Sequence, residues 1–337
     1  MDITDRLNLE LSHQMKSSRI FVAGHNGLVG RAIFDSLRSN GFKNIVIAEK
    51  SELNLLNQSK VMDFFKNEKI DQVYIAAAKV GGIFANSVYP ADFLYENLMI
   101  QTNIIQAAYY YQVNRLLFLG SSCIYPVAAS QPMKEKDLLS GPLEKTNQAY
   151  AISKISGIEM CRSFNQQFDT DFRCVMPTNL YGCNDNFNNE NSHVIPALIS
   201  KFYNAKKNNH KKVEIWGTGK PLREFLHVKD LANACIFVMN LKKEKFFDAL
   251  NSDYPHINIG SGEEVSIEKL AKIIAKISDF NGVLEFNPGM LDGAKRKLLD
   301  ISAINKLGWK SSVSLEDGIQ DTYQWFKANQ HLERNHK

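Results

Sequence analysis

Tyr150 and Lys154 stand four residues apart in the run Tyr150-Ala151-Ile152-Ser153-Lys154. If that segment is helical, the phenol and the ammonium project from one face into the same space. A cation beside a phenol favours phenolate and moves the tyrosine toward the range useful for proton transfer. The pair alone is a weak signal, because such spacings are common on exposed helices. Upstream, Ile20-Phe21-Val22-Ala23 runs into Gly24-His25-Asn26-Gly27-Leu28-Val29-Gly30 and then the helical Arg31-Ala32-Ile33-Phe34-Asp35-Ser36-Leu37. Glycines between a strand and a helix permit a tight turn and close backbone approach to a pyrophosphate, and the helix N-terminus adds free N–H groups and a favourable dipole. The spacing is GxxGxxG rather than GxGxxG, so the reading rests on the strand–turn–helix context. A purely structural glycine turn is the bland alternative.

At the end of the second strand, a carboxylate would hold the ribose hydroxyls of NAD and a cation would accept the 2′-phosphate of NADP. Ile45–Ala48 runs into Glu49 and then Lys50, which leaves both readings open. NADPH, with Lys50 as the phosphate contact, is the expectation. Asn54 and Leu55 after the second strand, and Ala76, Ala77 and Ala78 after the third, lie where adenine and ribose should rest; packing is their bland reading. The run Leu116–Gly120 ends in Ser121-Ser122-Cys123. Alternation along an extended chain puts Ser121 and Cys123 on one face and Ser122 on the other. A hydroxyl there can hold a substrate carbonyl while a tyrosine protonates it, so Ser121 is expected, with Ser122 in reserve.

These groups need a scaffold. Arg19–Ala23, Ile45–Ala48, Gln72–Ala76, Leu116–Gly120 and Arg173–Met176 read as buried parallel strands with amphipathic segments between them, which is a doubly wound α/β pattern. Residues 1–17 read as an N-terminal extension, 18–182 as the dinucleotide-binding domain, and 183–337 mainly as a smaller α/β substrate lobe. The rhythm loosens in the polar loop Asn184–Asn191 and again at Lys206–Lys212 and Phe247–His256. Val213–Trp216 is expected to return to the main sheet, within a returning segment near 213–240. Ile267–Ile277 and Leu315–Asn329 read as peripheral helices.

The 337 residues are 44% hydrophobic and 23% charged, enough for a substantial core. A net charge of +4 from 40 basic and 36 acidic residues is too weak for a nucleic-acid footprint but suits an anionic small molecule. Five cysteines without paired metal-type spacing argue against disulfides or zinc and for a reducing, cytoplasmic setting. No apolar run is long enough to cross a bilayer.

Taken together, Gly24/Gly27/Gly30, Ser121, Tyr150 and Lys154 resemble the extended short-chain dehydrogenase/reductases. Ala76–Ile83, Gly120–Pro126, Met176–Gly182, Ser192–Leu198, Arg223–Val228 and Arg296–Asp300 are similar, in order, to the GDP-L-fucose synthase family. That resemblance implies NADPH-dependent reduction of the C4 ketone of a GDP-4-keto-6-deoxy sugar, with C3/C5 epimerisation as a possible earlier step. It implies that Lys154 binds the nicotinamide ribose, Tyr150 delivers a proton to the C4 oxygen, and Ser121 fixes that oxygen. Cys123 and His193 match the family's acid and base at C3 and C5. Pro177, Asn179 and Leu180 fall beside the cofactor; Asn179, His193, Val194, Leu198, Lys201, Trp216, Arg223 and Lys297 match positions near the GDP-sugar. The family also implies a homodimer through helices near Pro90–Gln112 and Gln148–Phe168, with Tyr109, Tyr110 and Tyr111 at that face or in packing.

Two departures stand out. Lys201 replaces an arginine linked to substrate binding, and Asn26 replaces a basic residue that holds the 2′-phosphate in some members. A strict C4 reductase of another GDP-4-keto sugar, such as a heptose, would keep every hydride-transfer residue. A dehydratase would want an Asp-Glu pair where Cys123-Ile124 stands, and a non-catalytic NADP sensor would not need Ser121, Cys123, Tyr150, Lys154 and His193 together.

Overall fold

The computed structural model describes residues 16–187, 192–250, 253–290 and 292–330. Counting helices of eight residues or more, the first part of the chain runs β1 (Ile20–Ala23), α1 (Leu28–Ser39), β2 (Ile45–Val46), α2 (Gln58–Glu68), β3 (Gln72–Ile75), α3 (Pro90–Tyr110), β4 (Arg115–Leu119), α4 (Gln148–Phe168), β5 (Phe172–Pro177) and β6 (Asn179–Tyr181). It continues α5 (Val194–Lys207), β7 (Lys212–Trp216), β8 (Leu222–His227), α6 (Val228–Asn240), β9 (His256–Ile259), β10 (Glu264–Ser266), α7 (Ile267–Ile277), β11 (Val283–Asn287), β12 (Arg296–Lys297) and α8 (Leu315–Asn329).

Strands β1, β3 and β5 are buried along their whole length, as Ile-Phe-Val-Ala and its counterparts must be when helices cover both faces of a parallel sheet. The sheet order is β2-β1-β3-β4-β5-β9, all parallel. Helices α1 and α6 close one face around Ile33, Leu37, Leu231 and Cys235. Helices α2, α3 and α4 close the other around Phe65, Ile104, Ile105 and Ile158. Chain order reverses across β1 and β3, so the crevice at their carboxyl ends is the switch point where ligands bind in such sheets. The glycine turn follows β1 there, and Ala76–Ala78 follow β3.

The second layer is built on β8, which pairs with β6 and β12 in parallel and with β10 antiparallel. A third apolar cluster, with Ile195, Leu198, Phe202, Leu270, Ile274 and Phe326, packs α5, α7 and α8 beside it. Helix α7 shows why its sequence is helical: Leu270, Ala271, Ile274 and Ala275 fall on one buried face and the Ser266 hydroxyl caps the Lys269 N–H.

One strand expectation is overturned. Val213–Trp216 does not return to the main sheet; β7 pairs with β11 in a separate two-stranded parallel sheet. Its alternating burial explains this, since Val213 and Ile215 turn inward while Lys212, Glu214 and Trp216 face out, and a central parallel strand is apolar on both faces. The strand that returns is β9, concealed in the sequence because His256 and Asn258 interrupt its apolar pattern. The Tyr125 hydroxyl meets His256 Nε2 at 3.2 Å and donates to Asn258 Oδ1, and Asn258 also donates to the Met133 and Asp300 carbonyls. Residues 1–15 of the expected N-terminal extension, and 188–191 of the Asn184–Asn191 loop, lie outside the described residues.

Candidate active site

Gly24 adopts a φ of +86°, and a methyl added there would stand 2.6 Å from the Ala77 nitrogen. At Gly30 it would stand 2.0 Å from the Gly24 carbonyl oxygen, so α1 can approach the turn only without a side chain. Gly27 differs, because an added methyl meets nothing nearer than that carbonyl at 3.5 Å. Its outer face is open. Helix α1 begins there without a side-chain cap and without an acidic residue in its first turn, leaving the N–H groups near Leu28 and Val29 to an anion. This cradle fits a cofactor diphosphate.

At the end of β2, Glu49 accepts hydrogen bonds from Asn26 Nδ2 at 2.8 Å and contacts His25 Nε2 at 3.2 Å. Those bonds, Asn26 first, hold its carboxyl below the usual range. Lys50 stands exposed beside it. Asn54 Oδ1 accepts from the Leu56 N–H at 3.1 Å, and the Leu55 carbonyl accepts from Asn103. Ala76, Ala77 and Ala78 keep partial exposure on the crevice.

The next carboxyl end is that of β4. Ser121 is extended at φ −159°, ψ 148°, and residues Ser122–Ile124 then form a 3₁₀ turn. The simple alternation expected there does not hold, yet the turn still gathers Ser121 and Cys123: the Ser121 hydroxyl accepts from the Cys123 N–H at 3.4 Å and lies near enough to Tyr150 to bias its phenol, while Ser122 and Cys123 are both buried. Tyr150 and Lys154 lie on α4, and Lys154 Nζ donates to the Leu119 carbonyl at 2.9 Å.

The phenol corrects a second expectation. Tyr150 is pushed up, not down, because burial dominates and Cys123 adds to it, with only the nearby Ser121 hydroxyl opposing. Lys154 shares the helix face as expected, but the β4 carbonyl draws its ammonium to a point 5.8 Å from the Tyr150 ring centroid. Burial lowers Lys154 itself to about 8.

The second layer supplies the opposite wall. The register of β12 on β8 pairs Lys297 with Arg223, and Lys297 lies close enough to Cys123 and His193 to bias both. Burial raises the Cys123 thiol, with Lys297 the largest opposing influence. His193 occupies the N-cap position of α5, yet its imidazole caps nothing. It keeps an exposed face while the surrounding protein and then Lys297 hold it below the ordinary histidine range. Burial likewise lowers Lys297 and Arg223. Asn179 donates to the Glu224 carbonyl at 2.8 Å from a partly buried position, beside buried Pro177 and partly buried Leu180.

Farther out, Trp216 is 53% exposed and Lys201 Nζ sits 4.7 Å from its ring centroid. An exposed tryptophan with a cation on its face can serve as a wall for a base. Val194 borders the third cluster, whereas Leu198 is buried within it as core.

Three groups escaped the sequence reading. Glu224, fully buried, accepts from Gly262 N at 2.8 Å and Leu299 N at 3.0 Å and so fixes β12 against β8. Glu144 caps the turn leading into α4 and reaches the field of Lys297. Asp292 accepts from Thr218 N at 2.6 Å and Thr218 Oγ1 at 2.8 Å, fixing the loop after Trp216. Glu224 lies inside the Arg223–Val228 run; the other two carry no local signal.

Comparison with known proteins places this geometry. Residues 20–260 match the NAD dependent epimerase/dehydratase family. The GDP-L-fucose synthase of Escherichia coli (strain K12) is 52% identical over 316 residues, covering 94% of this chain and 98% of that protein. The chain belongs to the GDP-L-fucose synthase family. The Putative GDP-L-fucose synthase 2 of Arabidopsis thaliana is also 52% identical, over 93% of each protein. Among solved structures, MlghC, a GDP-mannoheptose C4 reductase from Campylobacter jejuni with NADP bound, is 40% identical with a TM-score of 0.83, covering 93% of this chain and 99% of that one. Membership makes this protein a nicotinamide-dependent oxidoreductase of Rossmann type and gives the glycine cradle its ligand class.

Proposed function

We propose that this member of the GDP-L-fucose synthase family reduces the C4 ketone of a GDP-4-keto-6-deoxy sugar with NADPH, after epimerising C3 and C5. The bound nicotinamide supplies hydride to C4. Gly24, Gly27 and Gly30 hold the diphosphate, and Lys50 serves the 2′-phosphate. Tyr150 donates its proton to the C4 oxygen; a phenol raised by burial is fully protonated at neutral pH, which is the state a donor needs. Ser121 and the Lys154 ammonium then stabilise the phenolate left behind. The observation that carries this reading is the gathering of Ser121, Cys123, Tyr150 and Lys154 at the end of β4, where the Cys123 N–H meets the Ser121 hydroxyl, Lys154 is tied to the Leu119 carbonyl, and Ser121 and Cys123 both bias the Tyr150 phenol.

Epimerisation assigns proton exchange at C3 and C5 to Cys123 and His193. His193 is neutral near pH 7 and suited to accept a proton, while Cys123 is a protonated thiol suited to donate one. Trp216 and Lys201 receive the guanine side, with Arg223 and Lys297 on the diphosphate. The residues from β1 through β6 serve the cofactor and those beyond serve mainly the sugar nucleotide. A strict C4 reductase acting on a GDP-4-keto-heptose is the second reading, favoured by the likeness to MlghC and by Lys201. Incubation with NADPH and GDP-4-keto-6-deoxymannose in heavy water tests both: cofactor oxidation with deuterium at C3 and C5 is expected, oxidation without deuterium leaves the strict reductase, and no oxidation with any GDP-ketosugar removes the proposal.

The assembly proposed is a homodimer through α3 and α4, on which Tyr95 and Tyr110 are 61% and 62% exposed. A cytosolic location is consistent with five free cysteines. No helix among the described residues is long and apolar enough to cross a membrane.

A further inference from the structure

The end of β2 carries an arrangement that the phosphate reading of Lys50 does not use. Glu49 is drawn over the glycine turn by Asn26 at 2.8 Å and His25 at 3.2 Å. Its own backbone N–H, a donor that a 2′-phosphate could use, is taken by the Glu52 carboxylate at 3.0 Å, and the Glu52 and Leu53 N–H groups close the turn onto the Glu49 carbonyl. Two carboxylates thus flank one lysine along the segment that follows β2, where the adenosine ribose of a cofactor in the glycine cradle would lie, and the turn residue bonded to Glu49, Asn26, is neutral.

We infer that this chain takes NADH as readily as NADPH, with Glu49 as the residue that sets the balance. A ribose diol donates two hydrogen bonds and meets a positioned carboxylate that has acceptor capacity to spare. A 2′-phosphate is rich in acceptors, carries up to two negative charges, and finds both a like charge and an occupied amide there. Lys50, exposed at the adjoining position, offsets part of that repulsion and keeps the phosphorylated cofactor acceptable. The inference rests on the family reading only in requiring a nicotinamide dinucleotide in the glycine cradle.

Calorimetric titration of the full-length protein with NAD+ and with NADP+, without sugar nucleotide, tests it. The two dissociation constants are expected to lie within about tenfold of each other in the unmodified protein. Glu49→Gln keeps the shape and the Asn26 contact, and should shift the ratio toward NADP+ by about tenfold, the scale of removing one unit charge from contact with a phosphate in high dielectric. Asn26→Arg should move the ratio the same way by adding a cation. Binding of NADP+ tighter than NAD+ by about a hundredfold or more in the unmodified protein, two tenfold steps, overturns the inference. So does an unchanged ratio in both variants. Failure of a GDP-ketosugar to oxidise either cofactor would count against the reductase reading and leave the binding ratio standing.

Discussion

Gly27→Ala and Gly30→Ala separate what the glycine turn does for folding from what it does for binding. The Gly30 methyl would sit 2.0 Å from the Gly24 carbonyl oxygen. Relieving that overlap means moving α1 away from the turn, at an overpacking cost of about 1–3 kcal/mol, offset by roughly 1 kcal/mol because alanine favours a helix over glycine. The Gly27 methyl would meet the same oxygen at 3.5 Å, ordinary contact, at φ −79°, ψ 166°, which alanine adopts freely. Its stability change should stay within about 1 kcal/mol, since a poorer cap and a stiffer unfolded chain nearly cancel. Yet that methyl stands on the open face that the diphosphate must touch. Urea unfolding followed by tryptophan fluorescence, paired with calorimetric cofactor titration, should therefore show Gly30→Ala losing stability and affinity together. Gly27→Ala should keep its midpoint and lose affinity by tenfold or more, about 1.4 kcal/mol. Undiminished cofactor affinity in Gly27→Ala would refute the argument that the uncapped turn at α1 holds the diphosphate.

Other outcomes follow from the same geometry. Tyr150→Phe should lower kcat for ketone reduction by about 10²–10⁴-fold, the usual worth of a positioned acid, while leaving cofactor affinity nearly unchanged. Lys154 has a folded-state value of about 8, below the ordinary 10.5, so the unfolded chain binds the extra proton between those values and stability should rise with pH across that window, while kcat should fall as its ammonium is lost above about pH 8. Lys154→Met should accordingly stabilise the cofactor-free protein at neutral pH, by on the order of 2 kcal/mol after the lost bond to the Leu119 carbonyl, and abolish turnover; a thermal melt and a single-turnover assay check the two halves. Glu224→Ala strands the Gly262 and Leu299 N–H groups and should cost about 2–4 kcal/mol in urea unfolding.

Much of this protein was legible along the chain because its signals are local. The strands before β6, the glycine turn and the Tyr150–Lys154 face each follow from a few consecutive residues with a definite period. The extents of α7 and α8 as helices followed from the same periodicity. What the sequence could not decide depends on partners far away in number. Whether Val213–Trp216 or His256–Ile259 joins the main sheet turns on which strand has both faces covered, and the polar residues of β9 find their partners far along the chain, in Tyr125 across 131 and 133 positions and, for Asn258, in the Met133 and Asp300 carbonyls. The direction in which Tyr150 titrates is likewise tertiary. Spacing placed the ammonium nearby, but the desolvation of the phenol is a sum over the folded surroundings, and the Leu119 carbonyl decided where the ammonium rests. The same holds for Glu49, whose charge was plain in the sequence and whose grip by Asn26 and His25 exists only once β1 and β2 lie side by side.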